Sequence, residues 1–231
     1  MNPRRAYFLV EGKTERKVYP KWLSYFLPYL SRVNYPEDAK KNNYYLISGG
    51  GYPSILDNHL VDSIRDINAV DGIYDYFVLA LDTDDLDAKT KCEEVTNFVK
   101  ENNINFGSCQ LVIIPQVVCM ETWFLGNRRI FARNPKSSEC ADLARHYNTS
   151  LLDPEKMPKP IGYEGTVGDY HYKYLKIMLA ERNVRYSKPS PKDVTESYYI
   201  SELRSRLETD NYCLKSMRYF FQFLLEINCR L

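Results

Sequence analysis

Short apolar runs alternate with amphipathic stretches along the first half of the chain. The runs are rich in β-branched and aromatic residues and end at turn residues, a pattern typical of buried strands. They predict strands over 6–10, 44–47, 76–81 and 110–114. The stretches between them carry apolar residues at helical spacing and predict helices over 14–30, 55–64 and 88–102. This alternation predicts an α/β protein whose parallel or mixed sheet of about four strands is flanked by helices.

Three prolines modify this outline. Pro20 and Pro28 lie within the first helical pattern and predict a kink or an early end of that helix. Pro115 directly follows the last apolar run and predicts the end of the fourth strand. The polar segment 31–43, which also contains a proline, predicts a loop.

The pattern changes in the second half of the chain. An apolar run over 117–125 contains one acid, Glu121, which needs a partner or a metal ion if it is buried and charged. Further helices are predicted over 138–147, 170–182, 197–207 and 214–227, with a loop rich in proline and glycine over 152–168. We therefore predict a core over 1–127 and a helical C-terminal extension over 128–231 that packs on it.

Composition narrows the class of protein. The 231 residues are 44% hydrophobic and 26% charged, as in soluble globular proteins, and the formal net charge is +1. Contact with nucleic acid must therefore come from a local basic patch. The six cysteines form no CxxC pair and no zinc-finger spacing, which favours reduced thiols. The apolar run that ends at Glu11 is too short for a signal peptide, and no stretch approaches the roughly 20 apolar residues of a membrane span. These features predict a cytoplasmic protein without a membrane partner.

Acidic residues follow two of the predicted strands. The first strand ends at Glu11 and the third at Asp82-Thr83-Asp84, while Glu15 lies about one helical turn beyond Glu11. Because the carboxyl ends of parallel strands meet at one edge of a sheet, we expect these carboxylates to share a site for Mg²⁺ or Mn²⁺. Glu11 would be a metal ligand or a general acid or base. The competing interpretation is a solvated acidic loop, since Asp-rich turns are common.

Two weaker signals concern phosphate binding. The glycine run 48–51 follows the second strand and would let the backbone approach a phosphate, but a tight turn that needs positive φ explains it equally well. Basic residues would stabilise charge on a bound phosphate, although each is also explained as a solvated surface residue. The candidates are Lys13, Arg16, Lys17, Lys159 and Lys173.

The segments Val10-Glu11-Gly12-Lys13-Thr14-Glu15 and Leu81-Asp82-Thr83-Asp84 together resemble a Toprim domain. That family is marked by a Glu after its first strand and a DxD after its third. The second Glu of the first segment looks most like the OLD-type nucleases and the small, mostly uncharacterised stand-alone Toprim-like proteins of prokaryotic defence loci. The resemblance covers about 6–125, including Glu121-Thr122-Trp123, and is looser beyond it.

The resemblance implies a site and an activity. Glu11, Asp82 and Asp84 would be the catalytic metal ligands, with Glu15 and Glu121 as further ligands, whereas Asp85 lies outside the DxD. The core would then be the catalytic domain of a Mg²⁺-dependent nuclease that cleaves DNA or RNA. Similar proteins often act in phage defence beside an ATPase, which would be a separate partner here because this chain has no ATP-binding signature.

Two other classes of function remain open. In the first, the protein is a non-catalytic module that binds nucleic acid or an ATPase partner, and the acids have only a structural role. The same metal chemistry would also serve a nucleotidyl or phosphoryl transferase acting on a small nucleotide. The sequence does not distinguish DNA from RNA as the substrate, an endonuclease from an exonuclease, or one bound metal ion from two. It also leaves open whether the protein forms a homo-oligomer.

Overall fold

The computed structural model describes residues 4–70 and 73–229, and it describes side chains up to residue 227. The chain forms two compact units. The first unit comprises the described residues within Met1–Leu81, Asp87–Pro115 and Tyr219–Leu231, and the second comprises Asp82–Leu86 and Gln116–Arg218. Our division after residue 127 stays a prediction.

A five-stranded, all-parallel sheet confirms the predicted α/β class. The strands are β1 (Arg5–Val10), β2 (Ser31–Arg32), β3 (Asn43–Ser48), β4 (Tyr76–Asp82) and β5 (Gln110–Gln116). Their order across the sheet is β2-β3-β1-β4-β5, so β1 lies at the centre, next to β4.

Eight α-helices accompany the sheet in the described residues. They are α1 (Lys13–Phe26), α2 (Val61–Ala69), α3 (Ala88–Glu101), α4 (Met120–Phe124), α5 (Ser138–His146), α6 (Val167–Ala180), α7 (Ser197–Thr209) and α8 (Lys215–Cys229). A π-helical segment, Ile55–Leu60, leads directly into α2. None of the helices in the described ranges combines the length and the apolar character that crossing a membrane requires.

Two details differ from the predicted outline, and a third confirms it. β5 continues through Pro115, because it is an edge strand and one side of its backbone needs no hydrogen-bond partner in the sheet. α1 continues through Pro20 but ends at Phe26, before Pro28, which confirms the predicted early end of this helix. The segment predicted as a loop contributes the two-residue strand β2, whose Ser31 is paired with Asn43 of β3.

The apolar strands are buried because helices cover a parallel sheet on both faces. In β1, Tyr7, Phe8, Leu9 and Val10 are fully buried. The last part of α8 belongs to the same unit: Phe220 packs on Tyr19 of α1, with ring centroids 5.1 Å apart, and Phe223 packs on Tyr76 of β4, with centroids 5.4 Å apart. The end of the predicted C-terminal extension thus packs on the sheet unit.

The second unit is built around the short helix α4. Trp123 is fully buried, and its indole N–H donates to Ser216 Oγ at 2.7 Å. Tyr199 of α7 donates its hydroxyl to the carbonyl of Phe124 at 2.8 Å. These hydrogen bonds satisfy polar groups that would otherwise destabilise the interior.

Arg206 of α7 is a buried cation that joins segments of the second unit. Its guanidinium is 2% exposed and donates to three backbone carbonyls. The acceptors are Gly126, Thr149 and Leu152. Neutral carbonyl oxygens thus take the place of water around the charge, which is why this side chain can lie inside the unit.

His171 of α6 links α4 to the proline-rich loop. It is fully buried, with Nδ1 2.7 Å from Thr122 Oγ1 and Nε2 2.8 Å from the carbonyl of Met157. Because a carbonyl only accepts, Nε2 carries the proton and Nδ1 accepts from the threonine. Burial lowers the pKa of His171 from 6.5 to about 4.

This histidine makes stability depend on pH. Between pH 6.5 and 4 the unfolded chain binds a proton that the folded protein excludes, so stability is lost as the pH falls. We expect the unfolding free energy of the wild type, relative to that of His171→Gln, to fall by about 3 kcal/mol between pH 7 and pH 4. Urea denaturation of both proteins across this range measures it. Parallel pH profiles would show that His171 is not held neutral.

Candidate functional site

The two strands that carry the predicted acids are neighbours. β1 and β4 pair in parallel, with Val10 opposite Ala80. Glu11 follows Val10 directly, and Asp82 is the last residue of β4. Both acids therefore stand at carboxyl ends of adjacent parallel strands, where open α/β sheets bind their ligands.

The backbone of Glu11 is held by the glycine run that follows β3. The N–H of Gly49 donates to the carbonyl of Val10 at 2.8 Å, and the N–H of Gly51 donates to that of Glu11 at 3.0 Å. Ser48 adds a hydrogen bond from its hydroxyl to the carbonyl of Glu11 at 3.2 Å. These hydrogen bonds from the end of β3 fix the direction that the chain takes after β1.

The glycines of this run are explained by local geometry. Gly50 and Gly51 have φ of 74° and 102°, in the region that favours glycine. A Cβ at Gly49 would lie 2.6 Å from Ile55 Cγ1, so this position has no room for a side chain. Two of the N–H groups point at carbonyls of the Val10-Glu11 segment. Of our two interpretations, the tight turn accounts for the run without a phosphate.

Glu15 lies beside the Glu11-Gly12 turn. Its side chain is only 4% exposed, and its Oε2 lies 2.7 Å from where a Cβ on Gly12 would stand. The carboxylate therefore folds back over Gly12 at the start of α1, where the helix dipole favours a negative charge. Gly12 is the N-cap of this helix.

Thr83 organises the acidic segment after β4. It is fully buried, its N–H donates to the carbonyl of Gln116 at 2.9 Å, and its Oγ1 accepts from the N–H of Val118 at 3.0 Å. The N–H of Asp84 donates back to the carbonyl of Val118 at 3.0 Å. The middle residue of the DxD is thus a structural clamp between two acids, and sequence reasoning did not identify this role.

The acids on either side of Thr83 differ in exposure. Asp82 is partly exposed, whereas Asp84 and Asp85 are exposed. Asp84 has a φ of 52°, a left-handed conformation that aspartate tolerates better than most residues. The backbone therefore leaves strand geometry at Asp84, as two acids directed at one cation would require.

Glu121 on α4 is a buried acid with identified partners. It is 1% exposed, its Oε1 accepts from the hydroxyl of Tyr186 at 2.7 Å, and its Oε2 lies 3.8 Å from Nζ of Lys188. The partner that we expect for a buried charge at this position is thus supplied by a segment 65 residues further along the chain. Only the tertiary structure identifies it.

Cys119 is a buried cysteine, and two acids affect the pKa of its thiol. Burial raises the pKa of its thiol well above the usual value, and the carboxylates of Glu121 and Asp82 raise it further. Glu15 thus lies against the Glu11-Gly12 turn in the first unit, whereas Asp82 and Glu121 belong to the second unit.

Two of the predicted phosphate contacts are engaged with other groups. Lys173 forms an ion pair with Glu139 at 2.9 Å, and Lys159 donates to the carbonyl of Gly165 at 2.7 Å. Lys13, Arg16 and Lys17 are exposed or near the surface, and nothing in their contacts tests a role in phosphate binding.

Lys91 is a further basic residue that sequence reasoning missed. It lies on α3 and is only 2% exposed, although lysine is usually a surface residue. Its Nζ is 3.1 Å from Glu94 and 3.9 Å from the ring centroid of Tyr52, and Tyr52 donates its hydroxyl to Glu94. These contacts join Tyr52, which follows the glycine run, to α3.

The oxygen donors of the acids suit magnesium, but the acids are not arranged as a complete set of ligands. They supply only carboxylate oxygens, and Mg²⁺ characteristically binds through one or two carboxylates and keeps several waters. Within 4–70 and 73–229, however, no three or more His, Cys, Asp or Glu side chains are grouped so as to hold a metal ion. The residues thus fit magnesium in kind, without a complete cage of protein ligands.

The packing of Glu15 over Gly12 can be tested by adding a methyl group. We expect Gly12→Ala to lower the unfolding free energy by about 0.5–1 kcal/mol, because alanine is a poorer N-cap than glycine and the tip of the Glu15 side chain must shift. Gly168→Ala is the matched control, since its new Cβ would meet nothing closer than 3.7 Å and alanine favours the helix. Urea denaturation compares them. Equal stability of Gly12→Ala and the wild type would contradict the geometry described for Glu15.

Comparison with protein-family models, curated proteins and solved structures finds no match for this chain. The resemblance to the Toprim family therefore rests on the residues of the two acidic segments alone.

Proposed function

We propose that this protein is a Mg²⁺-dependent nuclease that hydrolyses phosphodiester bonds of DNA or RNA. One observation carries the proposal: Glu11 and the Asp82-Thr83-Asp84 segment follow adjacent, parallel strands paired with Val10 opposite Ala80. Carboxylates in this order and at this edge are what hydrolysis of a phosphodiester with a hard cation requires.

Each acid has a distinct part in this proposal. Glu11, Asp82 and Asp84 would hold the metal ion, and Glu15 and Glu121 would complete its surroundings. A Mg²⁺ ion held there would supply Lewis-acid chemistry, which polarises a phosphodiester and makes an attacking water more acidic. By holding the ion, the carboxylates would position a positive charge beside the phosphate.

The surrounding residues would keep these acids in position. Thr83 clamps the DxD through its buried hydroxyl, and the glycine run holds the backbone of Glu11. Sites fixed by hydrogen bonds in this way lose little energy to reorganisation during the reaction.

Regulation and affinity would come partly from a partner. Phosphate contacts supply much of the affinity for nucleic acid, and a net charge of +1 provides no general attraction. A separate ATPase that engages the substrate would supply the missing affinity, which suits a role in phage defence.

The second candidate is a non-catalytic module that binds nucleic acid or an ATPase partner. It is favoured by the lack, in the part of the chain that the structure describes, of three or more metal-binding side chains grouped together. In that case Glu121 and Asp82 would serve only the packing and electrostatics around Cys119.

The nuclease proposal predicts a sharp difference between neighbouring acids. We expect Asp82→Asn to lower cleavage about 100-fold or more, because the metal ion loses a charged ligand. Asp85→Asn is the matched control: it removes the same charge from an exposed residue three positions away and should retain activity. Plasmid, single-stranded DNA and tRNA are incubated with Mg²⁺ or Mn²⁺, and thermal unfolding confirms that both variants fold.

Two results would overturn the nuclease proposal. One is equal cleavage by the wild type and Asp82→Asn. The other is no cleavage by the wild type with either ion, together with no heat of metal binding in calorimetry, which would favour the binding module.

A further inference from the structure

A basic cavity lies in the second unit, where α6 ends and the chain turns. Its volume is about 540 Å³. It is lined by Lys176, Ala180, Val184, Arg185, Tyr186, Ser187 and Ser190. Two of these side chains are cationic and none is acidic, so the cavity presents positive charge to its contents.

The two cations are available to an anion. Lys176 and Arg185 are both exposed. Among the described residues, neither has a carboxylate within 4.0 Å, whereas Lys173 on the same helix is paired with Glu139. A negatively charged ligand would therefore meet uncompensated positive charge here.

A tight turn forms another wall of the cavity. The N–H of Ser190 donates to the carbonyl of Ser187 at 2.9 Å, and the two residues form an antiparallel bridge. This turn fixes two serines at the rim, and serine hydroxyls commonly donate to phosphate oxygens.

The cavity adjoins one of the proposed site acids. Tyr186 lines the cavity and donates its hydroxyl to Glu121 Oε1 at 2.7 Å. Lys188 lies in the same turn, and its Nζ is 3.8 Å from Glu121 Oε2. A phosphate group in the cavity would therefore lie on the same part of the unit as the carboxylate of Glu121.

The residues that line the cavity offer contacts for phosphate groups but no surface on which a base could stack. Tyr186 is the one aromatic residue of the lining, and it is 4% exposed, with its ring packed on Phe124 and Tyr172. It therefore offers no open face on which a base could stack. Two cations and two hydroxyls without a stacking surface suit contacts that ignore sequence.

We propose that this cavity binds the phosphodiester backbone of a polynucleotide, close to Glu121 in the second unit. The inference rests on the proposed function, since it takes nucleic acid as the substrate. Lys176 and Arg185 neutralise backbone phosphates, and the serine turn orients them. The cavity thereby supplies the local basic patch that a chain of net charge +1 needs.

Binding without divalent metal tests the cavity separately from catalysis. Fluorescence anisotropy with fluorescein-labelled dT20, U20 and a 20-base-pair duplex is measured in EDTA across a salt series. We expect Lys176→Ala/Arg185→Ala to weaken binding about 10-fold or more at low salt, and to reduce the slope of log K against log[salt] by about 1.4 for single strands, as for two lost phosphate contacts.

The control is Arg145→Ala/Arg204→Ala, which removes the same charge from the same unit. Each of these arginines is exposed and paired with a carboxylate of its own helix, so we expect wild-type affinity and slope. Asp82→Asn should also bind as the wild type does. Loss of cleavage in that variant with binding intact separates the catalytic proposal from this one.

Three results would overturn the inference. They are no binding of any oligonucleotide by the wild type at micromolar protein, an unchanged salt slope in Lys176→Ala/Arg185→Ala, and an equal loss in the control. Competition by inorganic phosphate or thymidine monophosphate as strong, per phosphate, as that by unlabelled dT20 would assign the cavity to a small anion instead.

Discussion

The parallel pairing of β1 with β4 constrains where the acids of this protein can act. Because both strands are buried and run in the same direction, Val10 stands opposite Ala80 and the residues that follow leave the sheet at one edge. A slip of the register by one residue would turn every side chain of a strand to the other face. The apolar sequence of the strands therefore secures the position of Glu11 and Asp82 as firmly as it secures the core.

Buried polar residues in each unit lie against other protein groups. Thr83 is clamped by the backbone of Val118, Glu15 folds over Gly12, and Glu121 accepts from Tyr186. A buried polar group without a partner is costly, so each of these contacts stabilises one arrangement over its alternatives. The same contacts that keep the interior satisfied thus restrict how the acids can move.

Polar networks of this kind also explain the second unit. Arg206 and His171 are both buried, one charged and bonded to carbonyls, the other held neutral between a threonine and a carbonyl. Their partners come from segments far apart in the chain, so these side chains join α4, α6 and α7 into one compact unit.

The sequence by itself determined the α/β class, four of the five strands and most helices, because apolar runs and helical spacing are local properties. It also placed Glu11 and Asp82 after strands that prove to be neighbours. Only the tertiary structure decided that Gly12 caps α1, that β5 passes through Pro115 at a sheet edge, and that Glu121 meets Tyr186. Those features depend on which segments of the chain come into contact. When two partners are 65 residues apart, as Glu121 and Tyr186 are, the sequence pattern around either residue does not indicate the other.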